Sequence, residues 1–240
     1  MPRKSDEGAH MRATERTRPW WGEERGAAAP GAVLRAAARG VFPPADGGTT
    51  VLAQPDPRHA GVWAFTAHSV IFLDEDPARV LRTLHEVDAD PLAASMNPFF
   101  LAELARRTGR HVETIDLVTA APRLPGPPPL PLHAADASDH PRVVSARRRR
   151  QDVRAWTTPD GTGVLVLGRG PAGRWEIGLE VAEEARHAGL GRQLALAARH
   201  LVPDGDVVWA QQAAGNTRSI RAFQAAGHRP VTAEALLVAG

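Results

Sequence analysis

The stretch of sequence that decides the fold is WEIGLEV at 175–181, followed by RHAGLGR at 186–192. In the first part, apolar residues alternate with other residues, which predicts a half-buried strand. From the end of the second part onward, apolar residues recur at helical spacing, namely Leu190, Leu194, Ala197, Ala198 and Leu201. The sequence therefore predicts a strand, a short glycine-containing turn and a helix, in that order.

The turn at 186–191 has the chemistry of a phosphate site. Its two glycines leave backbone N–H groups uncovered at the start of a helix, where unpaired donors and the helix dipole attract anions. Arg186 and Arg192 bracket the turn and can add charge-assisted hydrogen bonds to phosphate oxygens. His187 lies inside the turn, either as a further donor to phosphate or as a plain solvent-exposed side chain. These residues predict a site for a phosphate-bearing cofactor.

A second strand and a second helix follow. The apolar run VVWA at 207–210 predicts the strand. Asn216 is a good N-cap for the helix, and Gly227 suits the position just past its end. Between them, Ile220 and Phe223 share one face of the helix. The stretch from 175 to 227 thus alternates strands and helices, which predicts an α/β fold.

The spacing Arg186-x-x-Gly189-x-Gly191, between a strand and a helix, resembles the pyrophosphate-binding motif of the GNAT superfamily, the acyl-CoA-dependent N-acyltransferases. The helix that opens at Asn216 and closes at Gly227 is similar to the second CoA-contacting helix of that family. The resemblance covers the chain from about residue 130 onward, and we identify it as the FR47-like type. It implies a mixed α/β sheet flanked by helices, with CoA entering where two central strands splay apart.

The resemblance also implies an activity: transfer of an acetyl group from acetyl-CoA to a primary amine of a small-molecule or peptide acceptor. The backbone from Leu179 to Val181 would pair with the pantetheine arm like an added strand, and N–H groups there would stabilise the oxyanion. The implied cofactor contacts are Leu179, Val181, Arg186, His187, Ala188, Gly189, Leu190, Gly191, Arg192, Asn216, Ser219 and Phe223.

Two carboxylates on one face of the 175–181 strand are candidates for the catalytic base. Glu180 ranks first because it lies closest to the segment implied to bind pantetheine, and Glu176 is the second candidate. Burial beside a sheet is expected to raise the pKa of a glutamate toward neutrality, as a base for amine deprotonation requires. The alternative is that one or both are solvated strand residues.

The position of the usual acid carries a different residue. Many members of the superfamily have a tyrosine four residues before the glycine that ends the second helix. This chain has Phe223 there and contains no tyrosine at all. Either the thiolate leaves alone or through water, or the protein is a non-catalytic acyl-CoA-binding or sensor module that does not turn acyl-CoA over.

The proline content predicts how the chain is divided. Between residues 122 and 131, six of ten residues are proline, which is typical of a stiff linker. The predicted parts are a mobile tail (1–27), an α/β companion domain (28–121), the linker (122–131) and the acyltransferase domain (130–240). The companion domain is either cofactor-free or a degenerate copy of the GNAT fold. In the tail, Trp20 and Trp21 either pack on a domain surface or offer a handle to a partner.

The composition argues against several classes of protein. The chain has no cysteine, which rules out disulfides and thiolate catalysis, and its histidines show no metal-ligand spacing. It has no Walker A or G-x-S-x-G motif, which argues against an NTPase and a hydrolase. No apolar run is long enough to span a bilayer, so we expect no membrane partner. The lack of cysteine fits a cytoplasmic protein, and the histidine spacing leads us to expect no bound metal.

The densest basic run is Arg147 to Arg150, in a chain whose formal net charge is only +2. It predicts a solvated helix end, because cations are favourable near a helix C terminus. The alternatives are a site for an acidic substrate, for the 3′-phosphate of CoA or for RNA. At this net charge we do not expect a nucleic-acid partner, and we expect a monomer or a homodimer.

Overall fold

The computed structural model describes residues 19–87, 89–136 and 138–239. Its strands are β1 (Gly48–Leu52), β2 (Ala60–Phe65), β3 (His68–Phe72), β4 (Arg110–Pro122), β5 (His133–Ala134), β6 (Gln151–Thr157), β7 (Gly163–Arg169), β8 (Trp175–Val181), β9 (Val207–Ala213) and β10 (Arg229–Ala239). Its α-helices are α1 (Ala29–Ala38), α2 (Pro77–His85), α3 (Pro98–Thr108), α4 (Pro141–Arg149), α5 (Leu190–Leu201) and α6 (Thr217–Ala225). The strand, turn and helix predicted from 175 onward correspond to β8, the connecting turn and α5.

These strands form one mixed sheet, in the order β1-β3-β2-β10-β4-β9-β8-β7-β6-β5. The pairs β1–β3 and β8–β9 are parallel. The other neighbouring strands are antiparallel. The mixed α/β fold class predicted from the sequence is therefore confirmed.

The sheet runs across the proline-rich residues 122–131. β10, from the end of the chain, lies between β2 and β4 and pairs with both. The proline-rich segment docks on α5, since Leu124 N donates to Arg199 O at 2.8 Å and Arg199 Nε donates to Pro122 O at 3.0 Å. The division into two domains stays a prediction, and the two parts share one sheet.

Helices cover both faces of the sheet. On β9, Val208 packs with α5 and α6, whereas the adjacent Trp209 packs with α1. On β7, Leu165 packs with α5, whereas Val164 packs with α4. On β2, alternate residues likewise pack either with α2 and α3 or with α1. Because successive strand residues point to opposite faces, α2, α3, α5 and α6 cover one face, and α1 and α4 cover the other.

Trp20 and Trp21 lie at the start of the described chain. Their rings meet edge to face at 5.3 Å, and Trp20 meets Phe65 at 6.3 Å. Both tryptophans pack against the hydrophobic cluster under α1. The first of the two readings, packing on a surface of the fold, is confirmed. Residues 1–18 of the predicted tail lie outside the described residues.

The described residues contain neither a helix that could span a membrane nor a cluster of metal-ligating side chains. None of their helices combines the length and apolar character needed to cross a membrane. The same residues contain no group of three or more His, Cys, Asp or Glu side chains that could hold a metal ion.

Candidate functional site

The centre of the sheet contains a gap between β8 and β9. These parallel strands pair at Trp175 with Val208 and at Glu176 with Trp209, and the pairing ends there. Beyond that point β8 pairs with β7 and β9 pairs with β4, so the two facing edges diverge. Backbone groups on a strand edge need partners, and a chain-like polar ligand can supply them. The splay implied by the resemblance is present.

A cavity of about 510 Å³ lies at the gap. Asn216, Ser219 and Phe223, in or next to α6, line one side of it, and Arg142 and Ala146 of α4 line the other. Because α6 and α4 cover opposite faces of the sheet, the cavity passes through the gap from one face to the other. Two ligands can therefore meet in it from opposite sides.

The predicted phosphate turn follows the end of β8 and leads into α5. The N-cap of α5 is Gly189, whose φ of 83° lies in the left-handed region that other residues enter at a cost of about 1 kcal/mol. Arg192 is the first residue of α5 whose backbone N–H is bonded within the described chain, to Gly189 O at 3.1 Å. The backbone N–H groups before it are available to an anion.

Gly191 faces open space above the turn. Within 4 Å, a Cβ built at this position would meet only Val181 Cγ2, at 3.9 Å. Atoms of the protein therefore give no steric reason for a glycine here. A ligand over the turn does, because phosphate oxygens can approach the backbone closely only where no side chain intervenes.

Charged side chains surround this turn. Arg186 Nε donates to Val181 O at 3.2 Å, which ties the turn back to the end of β8. Arg192, His187 and Ala188 are exposed to solvent. The structure thus brings the residues of the predicted turn together at one solvent-facing end of the gap, where they fit a pyrophosphate group.

The second helix predicted to contact CoA begins beside the cavity. Asn216 caps it, with Oδ1 accepting a hydrogen bond from Ser219 N at 3.1 Å, and Gly227 follows the helix with a φ of 88°. The amide Nδ2 of Asn216 can donate to a ligand. Phe223 is 3% exposed, and its ring meets that of His228 edge to face at 4.9 Å. Burial, followed by the charge of Arg199, lowers the pKa of His228 to about 4.

Glu176 lies where the gap begins and is 2% exposed. Arg174 Nε donates to its Oε1 at 2.6 Å, and Arg150 Nε donates to its Oε2 at 2.9 Å. Burial opposes ionisation, but the charges and hydrogen bonds of the two arginines outweigh it and hold the pKa of Glu176 below its usual range. The expected rise of this pKa toward neutrality is therefore wrong for Glu176, because two guanidinium groups stabilise the ionised carboxylate.

Glu180, the first-ranked candidate for the base, lies further along β8 on the same face. Its Oε2 accepts a hydrogen bond from Arg142 Nε at 3.3 Å, and its side chain is 43% exposed. An ion pair with this exposure is weak in water. The role of Glu180 as the base stays a prediction.

A buried ion network lies next to the cavity. Arg174 donates from Nη1 and Nη2 to the two carboxylate oxygens of Glu234 at 2.7 and 2.8 Å. Trp63 Nε1 donates to the same carboxylate at 2.6 Å, and so does Gln211 Nε2. Burial opposes the charge of Arg174, but Glu234 and Glu176 outweigh it and raise the pKa of the guanidinium above its usual range. The network joins β2, β9 and β10 to the start of β8, and no sequence motif pointed to it.

Asp116 is a cavity-lining carboxylate that the sequence did not single out. It lies on β4, opposite Ala213 of β9 and Glu234 of β10. Burial raises the pKa of Asp116, a hydrogen bond from Thr114 Oγ1 at 3.1 Å partly offsets the rise, and the charge of Glu234 adds to it. The sequence gives no signal for this residue, because only the pairing of β4 with β9 brings it to the gap.

The basic run at 147–150 lies at the C-terminal end of α4, which ends at Arg149, so the predicted helix end is confirmed. The prediction that the run is solvated is wrong for Arg150, whose side chain is 15% exposed and pairs with Glu176. Arg149 forms a bidentate pair with Glu113 at 2.7 and 2.9 Å, and Arg147 donates to Ser138 O at 3.0 Å. Because α5 follows the phosphate turn and covers the opposite face from α4, the run is badly placed for the 3′-phosphate of CoA.

No protein-family model matches the chain, and no curated protein matches it. Similar solved structures include a GCN5-related N-acetyltransferase from Kribbella flavida, with 17% identity, a TM-score of 0.42, and coverage of 90% of this chain and 97% of that one. A GNAT-family acetyltransferase from Colwellia psychrerythraea has 11% identity, a TM-score of 0.36, and coverage of 59% and 63%. A Drosophila protein has 16% identity and a TM-score of 0.39. The match covers 57% of this chain and 55%, about half, of the length of that protein. At these identities and TM-scores, the likenesses carry no information on activity or substrate.

Proposed function

We propose that this chain is an N-acetyltransferase that transfers the acetyl group of acetyl-CoA to a primary amine. The observation that carries the proposal is the gap between β8 and β9, with a glycine turn at its end. The turn suits a pyrophosphate, and the free edge of β8 leads from it into a cavity open to both faces of the sheet. This layout fits a carrier with a phosphate head and a thin, amide-bearing arm.

Particular residues would hold acetyl-CoA, which would supply a thioester that an amine can attack. The backbone N–H groups of 189–191, with Arg186 and Arg192, would bind the pyrophosphate. The free edge from Leu179 to Val181 would pair with the amides of the pantetheine arm, and Asn216 would donate to the same arm. Backbone N–H groups in the gap would stabilise the oxyanion.

The acceptor amine would enter from the face that α1 and α4 cover. A carboxylate must take a proton there, and Glu180 is the candidate that the sequence ranks first. Glu176 fits this role less well, because Arg150 and Arg174 hold it in the ionised form. Phe223 cannot supply a proton to the departing thiolate, so the thiolate takes its proton from water.

A second candidate function is a non-catalytic acyl-CoA-binding module. The observation that favours it is Phe223, buried beside the cavity where the resemblance implies a phenol. In such a module the same turn and gap would bind acyl-CoA, and the acceptor side would not support transfer.

Two measurements separate these functions. Calorimetry with acetyl-CoA tests binding, and a thiol reagent detects CoA release over a panel of primary amines. Binding with amine-dependent release supports the enzyme. Phe223→Tyr should then raise kcat by about tenfold to a hundredfold, which is up to the lower end of the ~10²–10⁴-fold contribution of a positioned acid. Saturable binding with no release, in the wild type and in this variant, supports the binding module. Absence of binding contradicts both.

Several finer points stay predictions from the sequence. These are the FR47-like subtype, a small-molecule or peptide acceptor, a cytoplasmic location, the absence of a bound metal, and a monomeric or homodimeric state.

A further inference from the structure

We infer that Asp116 is the catalytic base of the proposed acetyl transfer and takes a proton from the acceptor amine at the gap. The inference rests on the proposed function and adds to it a residue from outside the sequence motifs. It replaces Glu180 as the first candidate for this role.

The strand register places Asp116 level with the open edge of β8. The last β8–β9 pair is Glu176 with Trp209. Counting the same number of residues along each diverging strand from this pair sets Leu179 at the height of position 212 on β9. Gln212 pairs with the residue next to Asp116 on β4. Asp116 therefore lies one strand beyond β9, at the height of the β8 segment that would carry the thioester arm.

The side chain of Asp116 is on the face that α1 and α4 cover, here called the acceptor face because the amine is proposed to enter from it. Paired residues in a sheet share a face, and Asp116 pairs with Glu234, whose carboxylate accepts a hydrogen bond from Trp63 in the cluster under α1. Its partner toward the gap is Ala213, whose methyl group is too small to screen the carboxylate. Asp116 and Arg142 of α4 line the same cavity. The carboxylate is thus open to a ligand that enters under α4.

Four other carboxylates near the gap are each bound by arginine. The pairs are Glu113 with Arg149, Glu176 with Arg150 and Arg174, Glu180 with Arg142, and Glu234 with Arg174. The arginines occupy acceptor positions on these carboxylates, and at the buried Glu176 they also stabilise the ionised form. Within the described residues Asp116 forms no ion pair, and Thr114 Oγ1 donates to its Oδ1 at 3.1 Å. Its other oxygen, Oδ2, can accept a proton.

The surroundings of Asp116 favour its protonated form more than water does. Burial raises its pKa, and the charges of Glu234 and Glu176 add to the rise, whereas Thr114 and Arg174 oppose it. The same buried network holds these charges in place. A carboxyl group with a raised pKa takes a proton from an amine more readily than a solvated one.

The proposed step balances as follows. The acceptor arrives as an ammonium ion, and Asp116 takes one of its protons, which gives a neutral amine and a carboxylic acid. The amine nitrogen attacks the thioester carbonyl, the C–N bond forms, and the C–S bond breaks. The second nitrogen proton passes through water to the thiolate, and Asp116 then releases its proton to solvent.

The test is the pH profile of Asp116→Asn with acetyl-CoA and the best amine of the panel. We expect kcat/KM of the wild type to rise with pH to a plateau, with an inflection above the usual range of an aspartate. In Asp116→Asn, kcat should fall about a hundredfold, as for loss of a general base, and the inflection should disappear. Asp116→Glu should recover part of the rate and shift the inflection.

Three controls make the outcomes distinct. The affinity of Asp116→Asn for acetyl-CoA should equal that of the wild type, which shows that the site is intact. Asp204→Asn, which removes a carboxylate whose side chain is 89% exposed, should leave the profile unchanged. If Asp116→Asn keeps the wild-type rate or the inflection, Asp116 is not the base, while the transferase proposal stands. Loss of both in Glu180→Gln would then assign the role to Glu180. If the wild type releases no CoA with any amine, both proposals fail.

Discussion

The two faces of the sheet meet at the gap, and they differ in the groups that would interact with a charged ligand. On the face of α5 and α6, the site consists of backbone: a turn with Gly189 at a φ of 83° and open space at Gly191. On the face of α1 and α4, it consists of side chains, with Glu176 and Glu234 buried around Arg174. Fixed backbone dipoles suit a cofactor whose phosphates stay charged. An amine that must lose a proton instead needs titratable groups held in place.

The largest effect should come from removing the strands that complete the acceptor face. A fragment of residues 126–240 lacks β2 and β4, so β10 loses both of its neighbours and Glu234 loses Trp63. We expect this fragment to show no cooperative unfolding in urea and no binding of acetyl-CoA, whereas residues 19–240 keep both.

A cooperative transition in the short fragment would contradict this expectation. It would also establish the linker at 122–131 as a boundary between independent domains, as the proline content predicts.

The next largest effect concerns the buried network. Arg174→Met removes the cation between Glu176 and Glu234 and leaves two buried carboxylates without it, which should lower the free energy of unfolding by about 3–5 kcal/mol. Urea denaturation measures the change. The matched control is Arg106→Met, whose side chain is 71% exposed beside Glu103 and whose loss should change the free energy of unfolding little. If both substitutions lower the free energy of unfolding equally, the buried arginine contributes no more to stability than the exposed one.

A smaller effect is expected on the face that α5 and α6 cover, here called the cofactor face because acetyl-CoA is proposed to bind there. In Gly191→Val, the new side chain fills the open space over the turn, and the affinity for acetyl-CoA should fall by about 2–4 kcal/mol, through lost backbone contacts and steric conflict. Calorimetry measures the affinity, and urea denaturation should show little change in stability. Gln193→Val, at an exposed position of α5, is the control. Unchanged affinity in Gly191→Val would place the cofactor elsewhere.

The cofactor face could be predicted from the sequence because its signals are local. The alternation along 175–181, the glycines of the turn and the Asn216 cap each act within a few residues, and β8, α5 and α6 form where those signals place them. These signals do not depend on tertiary contacts.

The acceptor face could not be predicted, because its groups meet only through long-range strand pairing. Trp63 and Glu234 are 171 residues apart, and Arg174 and Glu234 are 60 apart. The pKa of Glu176 was predicted in the wrong direction for the same reason: burial could be foreseen from the strand pattern, but the two arginines could not. Asp116 comes to the gap through a strand that carries no motif.

The divergence of β8 and β9 has a consequence for what can enter the sheet. An unpaired strand edge is a template for any extended chain, and such edges promote aggregation when they are exposed. Here the two edges lie inside the sheet, and residues of α4 and α6 line the slot between them. The amide-bearing end of a pantetheine arm carries no side chains, so it needs less width than a peptide strand. The slot is therefore too narrow for the open edges to pair with a strand of another protein, but it is wide enough for the proposed cofactor.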